Sequence, residues 1–278
     1  MDLETIRSNI ETTVNKLKET NLLVPAISNT VTQEFIANIC LALKASPIII
    51  YLDDEARSMA RVANTLVINL GTFYPFLSTS ILAGAEELNK EGKSFVLDPV
   101  GIGIGTLRTK TLNVLKRYKP QIIRANASET IALAKLWDLD AGKNAKGPKG
   151  VDNQDEVLAA KTAALSLAKY TGGVVAVSGA EDLITDGKQI FKAYGGSHFL
   201  RNITGAGDAL AMCIASYYAA SKDPLSAALA GTNTFNIASS RAEQTASGPN
   251  SFETKFIDTI YELKAKDIAN NKLEIKEI

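Results

Sequence analysis

Hydrophobic positions recur at helical spacing near the start of the chain. Intervals of three and four residues, typical of the buried face of an amphipathic helix, separate Leu3, Ile6, Ile10, Val14 and Leu17. Because proline lacks the backbone N–H that a helix interior needs, this first helix is expected to end before Pro25. A second helix is predicted over residues 32–43.

Further along, short apolar runs alternate with segments rich in Ala, Leu, Lys and Glu. Strands are predicted at apolar runs bounded by Gly, Pro, Asn and Asp, over residues 48–52, 65–68, 95–97, 121–123 and 174–177. Helices are predicted over residues 57–63, 80–90, 110–118 and 156–170. Strands that are apolar at nearly every position and alternate with helices indicate a mostly parallel sheet with helices on both faces.

The second half of the chain adds a different pattern. Asp186-Gly187 separates two apolar segments and favours a type I′ turn, so a β-hairpin is predicted as an antiparallel edge. Helices are predicted near residues 208–220, 224–242 and 253–264, and the Gly- and Lys-rich residues 141–153 are interpreted as a surface loop. Since no repeat or boundary is visible, residues 1–278 are expected to form a single α/β domain.

Composition narrows the possible partners. The chain has 278 residues, 46% hydrophobic and 22% charged, which is ordinary for a globular protein. Its 30 basic and 30 acidic residues leave no net charge, so nucleic acid and anionic membranes are not expected partners. The polar start MDLETIRSN is unlike a secretory signal and no apolar run is typical of a membrane span, so a cytoplasmic protein is expected.

Cysteine and histidine usage excludes several kinds of site. Cys40 and Cys213 lie far apart without a CxxC motif, which favours a reducing compartment. His198 is the only histidine, which excludes a His-rich zinc site and an HExxH motif. A Ser-His-Asp triad would have to use that one residue and is disfavoured.

The segments that directly follow predicted strands are polar or glycine-rich. In an open parallel sheet, ligands bind beyond the carboxyl ends of the strands. The segments there are Asn69-Leu70-Gly71-Thr72, Asp98-Pro99-Val100-Gly101, Arg124-Ala125-Asn126-Ala127-Ser128-Glu129 and Ser178-Gly179. Their carboxylates, guanidinium, hydroxyls and backbone N–H groups suit a phosphate and its divalent metal. Asp98 and Glu129 are a candidate magnesium pair, although a turn-forming Asp-Pro and a first-turn helix acid would also explain them.

Thr204-Gly205-Ala206-Gly207-Asp208 opens a long apolar helix. Glycines let the backbone approach an anion closely, and the N–H groups and dipole of a helix N-terminus attract it. Asp208 at the rim of that anion site is placed to take a proton from a substrate hydroxyl. The alternative is that Asp208 only caps the helix and the glycines only form a turn.

Two other nucleotide-binding motifs fail on inspection. Gly92-Lys93-Ser94 resembles the end of a P-loop, but Glu87 stands at the position of the upstream glycine and the triplet precedes a strand. Three glycines follow a strand within residues 101–105, but Thr106 stands where the Rossmann fingerprint requires its third glycine. NAD use is therefore a minor alternative.

The order of these motifs resembles that of the hydroxyethylthiazole kinase family, which has a three-layer ribokinase-like fold. The resemblance extends from about residue 24 to residue 252. It rests on Ile27-Ser28-Asn29, Phe35-Ile36-Ala37-Asn38, Ala45-Ser46-Pro47, Asn69-Leu70-Gly71-Thr72, Asp98-Pro99-Val100-Gly101, Asn126-Ala127-Ser128-Glu129, Ile203-Thr204-Gly205-Ala206-Gly207 and Gly248-Pro249-Asn250-Ser251-Phe252.

The resemblance implies ATP- and Mg²⁺-dependent phosphorylation of the primary alcohol of 4-methyl-5-(2-hydroxyethyl)thiazole, in a homotrimer with active sites at subunit interfaces. Asp208 would be the general base, and Asp98 and Glu129 would serve the metal. Matching of motifs assigns ATP binding to Arg124, Ser178, Asn126 and Gly207, and thiazole binding to Ile49, Gly205, Asn29 and Gly71.

Three positions depart from the family pattern. Many members have cysteine at the position of Asp208, histidine at that of Pro25 and methionine at that of Ile49. A carboxylate is already ionised at neutral pH, so the first departure favours competence as a base. Because of the departures at Pro25 and Ile49, a related small alcohol remains an alternative substrate. Further alternatives are a ribokinase-like kinase for a pyrimidine or vitamin B6 compound, an ADP-using dehydratase of damaged nicotinamide cofactors, and a non-catalytic thiazole-binding protein.

Overall fold

A computed structural model describes residues 1–142 and 154–277 of the chain. The helices are α1 (Leu3–Glu19), α2 (Gln33–Ala42), α3 (Asp53–Val62), α4 (Pro75–Lys90), α5 (Thr106–Leu115), α6 (Ala127–Leu136), α7 (Gln154–Thr171), α8 (Ala206–Ser221), α9 (Pro224–Glu243), α10 (Pro249–Glu262) and α11 (Ala265–Ala269). The strands are β1 (Leu23–Ile27), β2 (Ser46–Ile49), β3 (Val67–Asn69), β4 (Val96–Asp98), β5 (Ile122–Asn126), β6 (Val174–Ser178), β7 (Asp182–Thr185), β8 (Gln189–Ala193) and β9 (Leu273–Glu277). Most of the loop predicted over residues 141–153 lies outside the described residues.

Within the described residues, the strands form one nine-stranded sheet in the order β2-β1-β3-β4-β5-β6-β7-β8-β9. The pairs from β2 to β6 are parallel, and the pairs from β6 to β9 are antiparallel. This confirms the mostly parallel sheet and the hairpin that were predicted from the alternating pattern and from Asp186-Gly187.

Helices cover both faces of the sheet and bury two apolar cores. One core joins α1, α2, α8, α9 and α10 to the sheet, through side chains such as Ile10, Phe35 and Phe256. The other joins α3 to α7 to the opposite face, through side chains such as Leu77 and Trp137. Burial of these side chains is the main favourable contribution to folding. The order of layers is helix, sheet, helix, as predicted.

Two strands were not predicted from the pattern. β1 contains Pro25, yet it lies inside the sheet between β2 and β3. The carbonyl oxygens of Leu22 and Ala26 accept the backbone N–H groups of Ser46 and Ile50, on the side of β2. Pro25 alternates with these positions and therefore faces β3, whose pairing with β1 begins only at Ala26. The missing N–H of Pro25 therefore costs no hydrogen bond of the sheet. The charged C-terminal segment, for which no strand was predicted, forms the mostly exposed strand β9.

Several predicted bounds were displaced. β2 covers Ser46–Ile49 where a strand was predicted over residues 48–52, and α4 begins at Pro75 where a helix was predicted from residue 80. Proline suits the first turn of a helix, so Pro75 marked this start. β2 is an edge strand with Pro47 in it. Ser46 and Ile50 donate their backbone N–H groups towards β1, so the backbone positions of Pro47 and Ile49 face outward.

No helix in the described ranges has the length and apolarity that crossing a membrane requires.

Candidate active site

Polar residues gather where the parallel strands end. β3 ends at Asn69, β4 at Asp98, β5 at Asn126 and β6 at Ser178. In the pairing of neighbouring strands, Asn69 lies opposite Asp98 and Asn126 lies opposite Ser178. Asn29 follows β1 at the same edge. The structure thus brings the strand-end residues together at the edge where ligands of parallel sheets bind.

Asp208 lies in the first turn of α8 and faces this edge. Three side chains of the described residues donate to its carboxylate: Asn29 Nδ2 and Thr32 Oγ1 each lie 2.7 Å from Oδ2, and Asn69 Nδ2 lies 2.9 Å from Oδ1. These donors come from the segment after β1, the end of β3 and the start of α2. An ordinary helix-capping aspartate accepts backbone N–H groups of its own helix. Here the carboxylate is held by side chains from distant segments.

The two glycines before Asp208 permit close packing. Gly205 has a φ of +84°, and a Cβ atom there would lie 2.5 Å from Thr32 Cγ2. A Cβ atom on Gly207 would lie 2.2 Å from Arg124 Nη1. Any side chain at either position would collide with a residue of the site. The guanidinium of Arg124 is therefore held against the N-terminus of α8, and both features attract an anion.

Arg124 on β5 is buried and linked to two other predicted residues. Its Nη1 lies 3.3 Å from Asp98 Oδ2, and its Nε and Nη2 donate to Ser178 Oγ at 3.2 and 2.9 Å. These contacts fix the plane of the guanidinium. A fixed, charged fork of N–H donors is the usual partner of phosphate oxygens.

Asp98 at the end of β4 is fully buried. Burial raises the pKa of its carboxyl group to about 7, against the lowering effect of Arg124 and with further raising by the charges of Glu129 and Asp208. Its Oδ1 also accepts the backbone N–H of Val100 at 3.1 Å. A cation at this position would relieve the mutual repulsion of the acids.

Glu129 lies in the first turn of α6 and forms a capping box with Asn126. Asn126 Oδ1 accepts the backbone N–H of Glu129, and a Glu129 side-chain oxygen accepts that of Asn126, both at 2.9 Å. The simpler structural role of Glu129 at a helix start is therefore present. The described residues include no cluster of three or more His, Cys, Asp or Glu side chains that would hold a metal by itself. A carboxylate pair at Asp98 and Glu129 suits Mg²⁺, which takes few protein ligands and completes its shell with phosphate oxygens and water.

The residues assigned to the acceptor alcohol lie on the β1 side of Asp208. Gly71 donates its N–H to Asn69 Oδ1 at 2.9 Å, and a Cβ atom there would lie 2.8 Å from Asn29 Nδ2. Ile49 ends β2, one strand away from β1, and is partly buried. Because β2 is an edge strand and the backbone N–H of Ile49 faces away from β1, Ile49 lies at the outer edge of the sheet.

Sequence reasoning did not assign Thr32 or Asn236 to the site. Thr32 was marked only as a helix start, and its contact with Asp208 spans 176 positions of the chain. Asn236 on α9 donates at 2.9 Å to Asp182, whose other carboxylate oxygen accepts the N–H of Gly179, the residue after Ser178. The sequence does carry a signal for Asn236, because it is a polar residue within the largely apolar pattern of α9.

The single histidine stands apart from this cluster. His198 Nδ1 lies 2.6 Å from Glu243 Oε1, and the imidazole is exposed. No member of the cluster around Asp208 contacts this pair among the described hydrogen bonds. The disfavoured triad has no basis in this arrangement.

Comparison with known proteins identifies the family. The sequence pattern of the Hydroxyethylthiazole kinase family matches residues 14–266. A hydroxyethylthiazole kinase of Bifidobacterium longum subsp. infantis is 38% identical over 291 residues, covering 98% of this chain and 92% of that protein. The solved structure of a hydroxyethylthiazole kinase protein from Pyrococcus horikoshii OT3 has a TM-score of 0.85 and 30% identity, over 96% of this chain and 99% of that one. A ribokinase-like superfamily protein from Enterococcus faecalis V583 shares the fold, with a TM-score of 0.60 and 12% identity over 92% of this chain and 88% of that one. The ribokinase-like fold is confirmed, and the chain belongs to the hydroxyethylthiazole kinase family.

Proposed function

We propose that this chain transfers the γ-phosphoryl group of ATP to the primary hydroxyl of 4-methyl-5-(2-hydroxyethyl)thiazole, a step of thiamine salvage. Membership of the family and the names of its relatives support the substrate. The observation that carries the chemistry is the Asp208 carboxylate, held by three donors beside the glycine-opened start of α8 and the Arg124 guanidinium.

Asp208 acts as the general base. A carboxylate offers about four acceptor positions. The described donors use two on Oδ2 and one on Oδ1, which leaves an acceptor position on Oδ1 for the substrate hydroxyl. The same donors fix the orientation of the carboxylate before substrate binds. Acceptance of the hydroxyl proton then accompanies in-line attack on the γ-phosphorus, for which positioning and electrostatics supply most of the catalysis.

The phosphates lie between the start of α8 and the ends of β5 and β6. Backbone N–H groups at Gly205 to Asp208 stabilise charge on the transferred group, and Arg124 and Ser178 bind the nucleotide phosphates. Asn126 and Gly207 shape this side of the site. Asp98 and Glu129 would hold Mg²⁺, which when bound neutralises phosphate charge.

The alcohol occupies the opposite side, against Gly205, Asn29, Gly71 and Ile49. A homotrimer completes the site at its subunit interfaces, and residues 1–278 act as one domain in the cytoplasm. Because Ile49 supplies an apolar wall without the thioether common in the family, a related small alcohol is the second candidate substrate.

A substrate panel tests this proposal. ATP consumption with Mg²⁺ should depend on the thiazole alcohol, and pyrimidine or pyridine alcohols should support less turnover. Asp208→Asn, which keeps the shape of the side chain, should lower kcat by about 10² to 10⁴, the usual contribution of a general base. A loss below about tenfold with unchanged ATP binding would refute the role of Asp208. Nucleotide use without transfer to any alcohol would refute the kinase itself.

A further inference from the structure

Thr32 stands at the N-cap position of α2 but does not cap that helix. A threonine at this position usually accepts a backbone N–H from the first turn. Among the described contacts of Thr32, its side chain makes no such bond. Its hydroxyl instead donates at 2.7 Å to Oδ2 of Asp208. The chain therefore forgoes a local stabilising bond at the start of α2 in favour of one to the carboxylate.

The methyl group of Thr32 explains why the hydroxyl points to Asp208. Thr32 Cγ2 lies where a side chain on Gly205 would begin, 2.5 Å from the position of a Cβ atom there. Threonine is branched at Cβ, so fixing the methyl group against Gly205 also fixes the direction of the hydroxyl. Thr32 itself is buried, with 4% of its surface exposed. One side chain thus contacts both the glycine of the anion site and the carboxylate.

We infer that Thr32 is a positioning residue for the reaction. Its hydroxyl holds the carboxylate of Asp208 at a fixed distance from the N-terminus of α8, so that base and phosphoryl group keep their relative geometry. This inference rests on the proposed role of Asp208. Small errors in such geometry cost large factors in rate, while binding of the separate substrates does not require it.

Two matched pairs of variants isolate the hydroxyl. Thr32→Val replaces the hydroxyl by a methyl group of similar size, and Thr32→Ala differs from Thr32→Ser by the hydroxyl alone. In each pair the member without a hydroxyl should have a kcat about tenfold or more lower, with similar KM values for ATP and the alcohol. Thr32→Ser keeps the hydroxyl but not the methyl group that fixes its direction, so its kcat should lie between those of the native enzyme and Thr32→Ala. Because the Ser and Ala pair introduces no larger group, it answers the question even if the valine variant folds poorly.

Thr65→Val is the control for loss of a buried threonine hydroxyl. Thr65 precedes β3 at the opposite edge of the sheet, where its hydroxyl donates to the carbonyl of Ser94 at 2.9 Å. This variant should lose thermal stability but keep the native kcat. Equal kcat values within both pairs, with Asp208→Asn inactive, would overturn the inference and leave the base assigned. An active Asp208→Asn would overturn the base and this inference together.

Discussion

Among single residues, Asp98 is a buried carboxyl group whose surroundings oppose its charge. Desolvation raises its pKa to about 7 in spite of Arg124. A raised pKa means that the folded chain holds the proton more tightly than the unfolded chain does. The contribution of Asp98 to stability is therefore favourable in acid and is lost as the pH rises through about 7.

Asp98→Asn should flatten this dependence. In the absence of nucleotide and metal, the melting temperature of the native enzyme should fall between pH 5 and pH 8 more than that of Asp98→Asn. The difference should be several degrees, since about 1 kcal/mol moves the melting temperature of a chain of this size by roughly 2–4 °C. Thermal melts across pH measure it, with Asp54→Asn as the exposed-acid control. Identical slopes for Asp98→Asn and native enzyme would contradict the raised pKa.

The predictable part of the site consists of residues at or near strand ends. Asp98, Arg124 and Ser178 could be placed from the sequence because parallel strands end at one edge, so position along the chain fixes their place in the fold. The contacts of Asp208 could not be placed in this way. They depend on the directions of the amide and hydroxyl groups of Asn29 and Thr32, which only packing between distant elements decides.

At the scale of elements, the side chain of Glu129 in α6 has both a structural and an electrostatic role. Glu129 completes the capping box of this helix with Asn126, and its charge also raises the pKa of Asp98. Glutamine can take the place of glutamate in a capping box. Substitution by glutamine therefore separates the charge from the cap.

Glu129→Gln should raise the Mg²⁺ concentration needed for half-maximal activity while leaving the melting temperature close to native. Asn126→Ala, which removes the cap itself, should instead lower stability by about 1 kcal/mol. Metal titrations and thermal melts of both variants distinguish the two uses. An unchanged Mg²⁺ midpoint in Glu129→Gln would count against a metal ligand at this position.

The elements themselves were predictable where periodicity was strong, and most helices and central strands lie near their expected positions. β1 escaped prediction because Pro25 argues against a central strand, and only the neighbouring β3 shows that its missing N–H is harmless. β9 escaped because a charged, mostly exposed segment has no apolar signature. Its pairing with β8 is supplied by the backbone.

For the whole molecule, apolar side chains remain exposed beside the edge strand β2. Ile48 and Leu52 are 37% and 55% exposed. Tyr74 and Phe76 nearby are exposed and stack with centroids 5.5 Å apart. Phe76 also lies 6.3 Å from the ring of Tyr51, just after β2. Exposed apolar surface is common where proteins contact one another, so this surface is the expected interface of the proposed trimer.

Light scattering should therefore give a mass of three times the 29.7 kDa of one chain. Leu52→Glu places a charge on this surface and should dissociate the assembly and lower activity. Val62→Glu is the matched control, because Val62 is an exposed residue at the other end of α3. A native mass for Leu52→Glu, or dissociation by Val62→Glu alone, would place the interface elsewhere.

Pro47 limits how another strand could pair with the edge strand β2. Its position faces away from β1, so the free margin of the sheet lacks a donor where an incoming strand would need one. In the proposed trimer, a contact at this edge is therefore expected to form through side chains and not by extension of the sheet. The same missing donor disfavours fibre growth by pairing of further strands along this margin.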